Sequence, residues 1–104
     1  MYEVIFTSAA ERYIKKMKEK PLKEAFRKTI LLIAEDPYVG NPKRGDLSGI
    51  YGYDLYYAKT NYEIAYVIVE NKKKKVIVVL AGTRENFYQQ LKHYLDKGNT
   101  KLIN

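Results

Sequence analysis

Hydrophobic and polar residues alternate most clearly in the second half of the chain. The stretch "YEIAYVIVE", Tyr62 to Glu70, places every second side chain on the same face, which is typical of a β-strand. The run "VIVVLA", Val76 to Ala81, is apolar at every position, so we predict a central strand that is buried on both faces. Weaker patterns in "YEVIF", near the N-terminus, and in "YGYDLYYAK" predict two further strands.

Two helices are predicted between the first strand and the middle of the chain. Ser8 and Glu11 match the S-x-x-E capping box, so the first helix should begin near Ala9. The second should begin at Pro21 and end before Pro37, because a proline forces the preceding residue out of the helical region. Both helices carry lysines and arginines on their outer faces, and we interpret these as a solvated surface rather than a binding surface.

A third helix is predicted after the last strand. Gly82 permits the turn, Thr83 is predicted to cap the helix, and the helix should run to about Leu95. Residues 96–104 are predicted to form a flexible tail.

The remaining segments are turns and loops. Asp36 to Gly49 is turn-rich and follows neither the helical nor the strand period. We place Asn61 in one hairpin turn and Asn71 to Lys75 in the next hairpin loop. We interpret the lysines of that loop as solvated, although their charge could also bind the phosphates of RNA. The order β-α-α-β-β-β-α predicts a single α+β domain over residues 1–104. In it, an antiparallel sheet of about four strands packs on an N-terminal helical hairpin, with a C-terminal helix.

Charge and composition narrow the choice of partner. The chain has 104 residues and a formal net charge of +7, which suits an anionic partner such as nucleic acid. It has no cysteine, and His93 is its single histidine, so thiolate and multi-histidine metal sites are excluded. The N-terminus does not resemble a signal peptide, and no apolar run is long enough to span a bilayer. We therefore expect a cytoplasmic protein with no membrane partner.

The stretch "AGTRENFYQQLKHYL" combines charged and aromatic residues at helical spacing. Arg84 would open the helix, where the helix dipole disfavours positive charge, and Tyr88 would follow one turn later on the same face. We interpret Arg84 as placed for a ligand phosphate. The alternative is that Arg84 pairs with a carboxylate of the sheet while Tyr88 is a half-buried packing residue. His93 falls on the opposite side and is predicted to face solvent rather than to act as a general base.

Four segments, in this order, carry a resemblance to a known family. They are the connection "DPYVGNPKRGDLSG", the strand "YGYDLYY", the tyrosine-led strand "NYEIAYVIVE" and the Gly-x-Arg-x-x-x-Tyr pattern in "LAGTRENFY". From Tyr2 to Leu95 the chain resembles the RelE/ParE superfamily of bacterial toxin–antitoxin toxins. The resemblance implies a RelE-like fold and a small cytoplasmic toxin of a type II system, neutralised by a cognate antitoxin that wraps it.

The resemblance leaves the activity open between alternatives. The commonest activity in the family is cleavage of mRNA in the ribosomal A site by a metal-independent mRNA interferase, which inhibits translation and needs no cofactor. A second branch, resembling ParE, poisons DNA gyrase and is not a nuclease. A catalytically inactive toxin homologue is a further alternative.

Metal-free RNA cleavage needs a base for the attacking 2′-hydroxyl, an acid for the leaving oxygen and cations on the developing phosphorane. The resemblance implies that Arg84 holds the scissile phosphate and that Tyr88 orients the base or moves a proton. Asp54 or Glu63 would be the general base. Further contacts to nucleic acid are expected from Tyr56, Lys59, Lys43 and Arg44.

The chain departs from the nuclease pattern on its two middle strands. Nuclease members carry basic residues there, whereas this chain has Asp54, Tyr56 and Glu63. Strand alternation places these three side chains on one face, away from the apolar residues. We therefore expect an acidic and aromatic surface with Arg84 as its main cation, and this favours the non-nuclease alternatives more than the family resemblance alone does.

Overall fold

A computed structural model of the chain describes residues 1–97, and its elements follow the predicted order with one addition. The strands are β1 (Glu3–Phe6), β2 (Asn41–Pro42), β3 (Tyr51–Tyr57), β4 (Thr60–Val69) and β5 (Lys75–Thr83), and the helices are α1 (Ser8–Lys15), α2 (Lys20–Glu35) and α3 (Phe87–Asp96). Strand β2 was not predicted, and it lies between two 3-10 turns. The predicted tail falls mostly outside the described residues. No helix in the described part of the chain is long and apolar enough to cross a membrane.

The strands form one mixed sheet in the order β1-β5-β4-β3-β2. Strands β3, β4 and β5 form the predicted antiparallel meander, and β2 pairs antiparallel with β3. Strand β1, however, pairs parallel with β5, so the prediction of an antiparallel sheet of about four strands is wrong at the sheet edges. The helical crossover between β1 and β3 lets these two strands run in the same direction. Strand β4 runs opposite to β3, and β5 runs opposite to β4, so β5 has the same direction as β1.

The sheet separates two apolar layers. Helices α1 and α2 cover one face, where Phe26 and Ile64 belong to one buried cluster. Helix α3 covers part of the other face, where Phe87, Leu91 and Ala65 belong to a second cluster. Ile64 and Ala65 are adjacent in β4 and lie in different clusters, as strand alternation requires. The region of the second face that α3 leaves open is the candidate site described below.

A buried tyrosine fixes the connection between α2 and β3. The hydroxyl of Tyr66 donates to the carbonyl of Pro37 at 2.6 Å and accepts from the amide of Gly40 at 3.1 Å. Burial raises the pKa of Tyr66 to about 12, so the hydroxyl remains a donor. A side chain at position 40 would overlap that hydroxyl, which explains why glycine is needed there. The loop that carries Lys43 is thereby held against the sheet.

Helix α1 is capped one residue earlier than predicted. The Thr7 hydroxyl accepts from the amide of Ala10 at 3.1 Å and donates to the carbonyl of Val79 at 2.7 Å. Because Thr7 is buried and bonded on both sides, Ser8 lies inside the helix, and the predicted capping box on Ser8 is wrong.

Helix α3 begins later than predicted. Thr83 is the last residue of β5 and pairs with Tyr62, and the amide of Arg84 donates to the carbonyl of Asn61 at 2.8 Å. The chain stays extended through these bonds, so the prediction that Thr83 caps the helix is wrong. Asn86, with a φ of 61°, occupies the position before the first helical residue.

The first hairpin turns at Ala58 and Lys59, not at Asn61 as predicted. Tyr57 pairs with Thr60 across a two-residue turn, and both turn residues have positive φ, 49° at Ala58 and 66° at Lys59. Positive φ at both central positions is the signature of a type I′ turn. Asn61 lies in β4 instead. The second predicted hairpin loop joins β4 to β5, as expected.

Candidate functional site

The open face of the β3–β4 hairpin carries the three strand residues singled out from the sequence. Asp54 pairs directly with Glu63, and Tyr56 pairs with Asn61. Cross-strand partners point to the same side of a sheet, so all these side chains share the face predicted from strand alternation. Their exposure differs widely, because Tyr56 is 65% exposed whereas Glu63 is 6% exposed. The face therefore presents an aromatic ring beside one exposed and one buried carboxylate.

Arg84 joins this face through an ion pair. Its Nη1 lies 2.5 Å from Oδ2 of Asp54, and the two side chains are 58% and 45% exposed. Arg84 precedes α3, so the prediction that Arg84 and Tyr88 share one helical face is wrong; the arginine is positioned by the end of β5. A guanidinium has five N–H donors, and the bond to Asp54 leaves most of them available for a ligand. The alternative prediction that Arg84 pairs with a carboxylate of the sheet is therefore confirmed.

A second ion pair lies beside the first and is largely buried. Nζ of Lys43 lies 2.6 Å from Oε2 of Glu63, with side-chain exposures of 22% and 8%. Both side chains pass over Gly52, and a Cβ at that position would overlap the Glu63 carboxylate and lie 3.2 Å from Nζ of Lys43. The glycine in "YGYDLYY" therefore makes room for the pair. A glycine inside a strand often marks such a close approach, so the sequence did contain a signal for this feature.

Tyr88 is engaged elsewhere, in contacts that hold α3 to the loop after β2. Its hydroxyl donates to Oδ1 of Asp46 at 3.2 Å, and Nζ of Lys92 lies 3.0 Å from Oδ2 of the same carboxylate. The bonds from Lys92 and then Tyr88 lower the pKa of Asp46, and Asp46 in turn raises the pKa of Lys92. Asp46 and Lys92 were not anticipated from the sequence, because an aspartate in a loop and a lysine on a helix carry no pattern that connects them.

The other predicted contact residues lie on separate loops. Lys59, in the first hairpin turn, lines a shallow cleft of about 430 Å³ that is also lined by Arg84. Arg44 is exposed next to Lys43 on the loop after β2. His93 is exposed on α3, as predicted. Among the described residues, no group of three or more His, Cys, Asp or Glu side chains could hold a metal ion.

An apolar groove lies on the opposite side of the sheet, between α1, α2 and the free edge of β1. It has a volume of about 530 Å³, and apolar side chains line it: Val4, Phe6, Ile14, Ile30 and Leu31. Charged residues also line it, and basic side chains outnumber acidic ones: Lys15, Lys20, Lys23 and Arg27 against Glu11 and Glu24. Lys15 pairs with Glu11 and Arg27 with Glu24, which leaves Lys20 and Lys23 as the excess positive charge. Several apolar side chains here are exposed, with Phe6 at 38% and Leu31 at 40%. A large exposed apolar patch with polar neighbours is typical of a surface that binds another protein.

Comparison with known proteins agrees with this fold. Residues 4–92 match the family model of the ParE-like toxin of type II bacterial toxin–antitoxin systems. The structure is similar to the RelBE2 toxin–antitoxin complex of Mycobacterium tuberculosis, with a TM-score of 0.64 and 25% identity over 80% of this chain and 98% of that chain. It is also similar to a free mutant of the E. coli toxin RelE, with a TM-score of 0.71 and 18% identity over 94% and 97% of the two chains. The intact E. coli RelBE toxin–antitoxin complex contains a chain that matches with a TM-score of 0.63 and 20% identity over 79% of this chain and 95% of that chain. A search of curated proteins finds no match.

The family match covers most of the chain and includes the strand, loop and arginine residues of the candidate site as well as Tyr88. The α+β architecture, with its mixed five-stranded sheet, is that of the RelE structures. The resemblance seen in the sequence is confirmed, and the chain belongs to the ParE-like toxins of type II bacterial toxin–antitoxin systems.

Proposed function

We propose that this toxin is a metal-independent endoribonuclease that cleaves mRNA at the ribosome. The observation that carries the proposal is the exposed pair of Arg84 and Asp54 on an open face that also presents the ring of Tyr56. This chemistry uses a cation to bind the phosphate, a carboxylate to accept the proton of the 2′-hydroxyl, and an aromatic ring on which the unpaired nucleobase stacks.

In the proposed reaction, Asp54 removes the proton from a ribose 2′-hydroxyl. The 2′-oxygen attacks the adjacent phosphorus, and the bond from phosphorus to the 5′-oxygen breaks. The products are a 2′,3′-cyclic phosphate and a 5′-hydroxyl, whose oxygen takes its proton from water. Arg84 stabilises the charge that develops on the phosphorane through the donors that Asp54 does not use.

The remaining candidate residues support this arrangement at a distance. We assign Asp54 rather than Glu63 as the base. Both carboxylates are paired with a cation, but the Asp54 side chain is 45% exposed and can be reached by a ribose, whereas the Glu63 side chain is 8% exposed. Lys43 supplies a second cation next to the reacting face, and Tyr56 stacks on an unpaired base. Tyr88, bonded to Asp46, acts as a positioning residue that fixes α3 beside the site.

One observation favours the alternative that the protein is a ParE-like gyrase inhibitor or an inactive homologue. Each cation of the face is paired with a strand carboxylate, so the four groups have no net charge. A phosphate must compete with Asp54 for Arg84 before it can bind. The carboxylates Asp54 and Glu63 thus leave this face without net positive charge.

Expression of the wild-type chain in a growing bacterium, with mapping of mRNA 5′ ends, separates these alternatives. We expect growth arrest and new mRNA ends that carry 5′-hydroxyl groups within translated regions. Growth arrest with DNA damage and intact mRNA would instead indicate a ParE-like gyrase inhibitor. Normal growth of cells in which the protein is present in soluble form would indicate a catalytically inactive homologue.

We also propose that the cognate antitoxin docks in the groove between α1, α2 and β1. Toxin–antitoxin complexes are among the similar structures, and the groove combines exposed apolar residues with basic neighbours. These features suit an amphipathic segment with an acidic outer face. No tyrosine lines this groove.

Leu31→Glu should weaken antitoxin binding by about tenfold or more, because it removes a partly exposed apolar contact and opposes an acidic partner. Leu32→Glu is a matched control, since Leu32 is 45% exposed on the same helix and does not line the groove. Titration calorimetry with the protein encoded by the adjacent gene would measure both. Equal losses in the two variants would place the antitoxin elsewhere.

A further inference from the structure

We propose that the cleft between the first hairpin turn and the β5–α3 connection binds the backbone of single-stranded RNA next to the nucleotide held at Arg84. The identity of the bound strand as RNA rests on the proposed function; the site itself rests on the geometry of the cleft. Its lining residues are Lys59, Thr60, Asn61, Thr83, Arg84 and Glu85.

The backbone of the turn is the first reason to assign a function here. Ala58 and Lys59 both have positive φ, which is unfavourable for residues that carry a Cβ. Asparagine and glycine are strongly preferred in such a turn. Strained residues of this kind occur preferentially at functional sites, where a side chain is needed in spite of its cost to stability. At position 59 the turn carries a lysine where asparagine or glycine would be less strained, and the lysine supplies a positive charge.

The chemistry of the lining is the second reason. Lys59 and Arg84 supply positive charge, and the hydroxyl and amide side chains beside them can bond to phosphate and ribose oxygens. The two walls are joined by the bond from the amide of Arg84 to the carbonyl of Asn61, at 2.8 Å, so the cleft does not depend on a mobile contact. Glu85 is the one carboxylate in the lining, and it opposes binding of an anion.

The position of Arg84 connects the cleft to the reacting face. Arg84 lines the cleft and also pairs with Asp54, whose face carries Tyr56. A strand with one phosphate in the cleft can therefore place the next nucleotide at Arg84 and a base on Tyr56. The hydrogen-bonding side chains of the cleft can also contact a ribose 2′-oxygen, which fits RNA better than DNA.

Binding of a labelled ten-nucleotide single-stranded RNA, measured by fluorescence anisotropy at several salt concentrations, tests the proposal. The RNA carries 2′-O-methyl groups, which keep the 2′-oxygen but cannot attack the phosphorus. Lys59→Gly and Lys59→Asn, which both tolerate positive φ, should weaken binding about threefold at low salt. Each should also reduce the slope of log Kd against log salt by about 0.7, the loss expected for one phosphate contact. Glu85→Gln should strengthen RNA binding, because it removes a negative charge from the cleft. Lys59→Arg keeps the positive charge and should bind RNA about as tightly as wild type.

Two controls make the result specific. Lys72→Ala removes an equal charge from the other hairpin loop and should change the affinity less than Lys59→Gly does. Lys59→Gly should raise Tm by about 4 °C, because glycine relieves the strain of the turn. Equal effects of Lys59→Gly and Lys72→Ala, an unchanged salt slope or a lower Tm in Lys59→Gly would overturn the proposal. If the wild-type chain cleaves no mRNA in cells but its RNA affinity depends on Lys59, the cleft stands and the proposed nuclease function fails.

Discussion

Arg84→Ala is expected to slow mRNA cleavage on programmed ribosomes by about a hundredfold or more. A pre-positioned donor aimed at developing negative charge contributes about 3 kcal/mol to transition-state stabilisation, and alanine removes it completely. The effect should appear in single-turnover cleavage, and it should also relieve growth inhibition. Arg84→Lys should give an intermediate rate, because the charge remains and the fork that holds two phosphate oxygens is lost.

The fold should tolerate this change. The pair of Arg84 and Asp54 is half exposed, and such pairs contribute at most about 1 kcal/mol to the free energy of unfolding. Antitoxin affinity is the appropriate control, since the proposed groove lies on the opposite side of the sheet. A folded Arg84→Ala variant that cleaves as fast as wild type would reduce Arg84 to a structural ion-pair partner.

Asp54→Asn distinguishes the two roles that a carboxylate can have at this position. If Asp54 is the general base, the amide cannot accept the 2′-hydroxyl proton, and the rate should fall sharply. If Asp54 only neutralises Arg84, removal of its charge should leave Arg84 more available to phosphate, and the rate should hold or rise. The direction of the change therefore decides whether the acidic strand face catalyses the reaction or restrains it.

The parts of this structure that follow a regular period could be predicted from the sequence. Alternation along β4 placed Glu63 on the face opposite Ile64, and the cross-strand pairing with Asp54 confirms that arrangement. Pro21 and Pro37 bracketed α2 correctly, because proline acts on the local backbone whatever the tertiary context. Strand β1 was predicted but its parallel pairing was missed, since the pairing of β1 with β5 depends on the path of the whole chain.

The errors at the site arise where tertiary bonds override a local signal. Thr83 is a good cap by type, but its pairing with Tyr62 keeps it in the sheet. Because the strand continues through Thr83, Arg84 directly follows β5 and does not lie in the helix as predicted. Lys43 was named as a contact residue, yet its pairing with Glu63 could not be predicted, because a turn-rich loop has no period that places a side chain.

Removal of either partner of the Lys43–Glu63 pair is expected to destabilise the fold by about 3 kcal/mol. The Glu63 side chain is 8% exposed, so Lys43→Met leaves a carboxylate that is removed from water with no partner. Glu63→Met leaves an ammonium that is only 22% exposed. In contrast, the double variant Lys43→Met/Glu63→Met replaces both charges by apolar groups and should lie within about 1 kcal/mol of wild type. Urea denaturation of the four proteins gives the coupling energy directly.

The pair of Arg84 and Asp54 provides a matched comparison on the same sheet face. Its two side chains are half exposed, so an alanine cycle there should give a coupling energy below about 1 kcal/mol. Burial, rather than the presence of an ion pair, is then the variable that separates the two cycles. If both cycles gave the same small coupling, water would have to reach Glu63, and its exclusion as a general base would no longer hold. A large coupling for Lys43 and Glu63 would instead leave the half-exposed Asp54 as the carboxylate of this face that a ribose 2′-hydroxyl can reach.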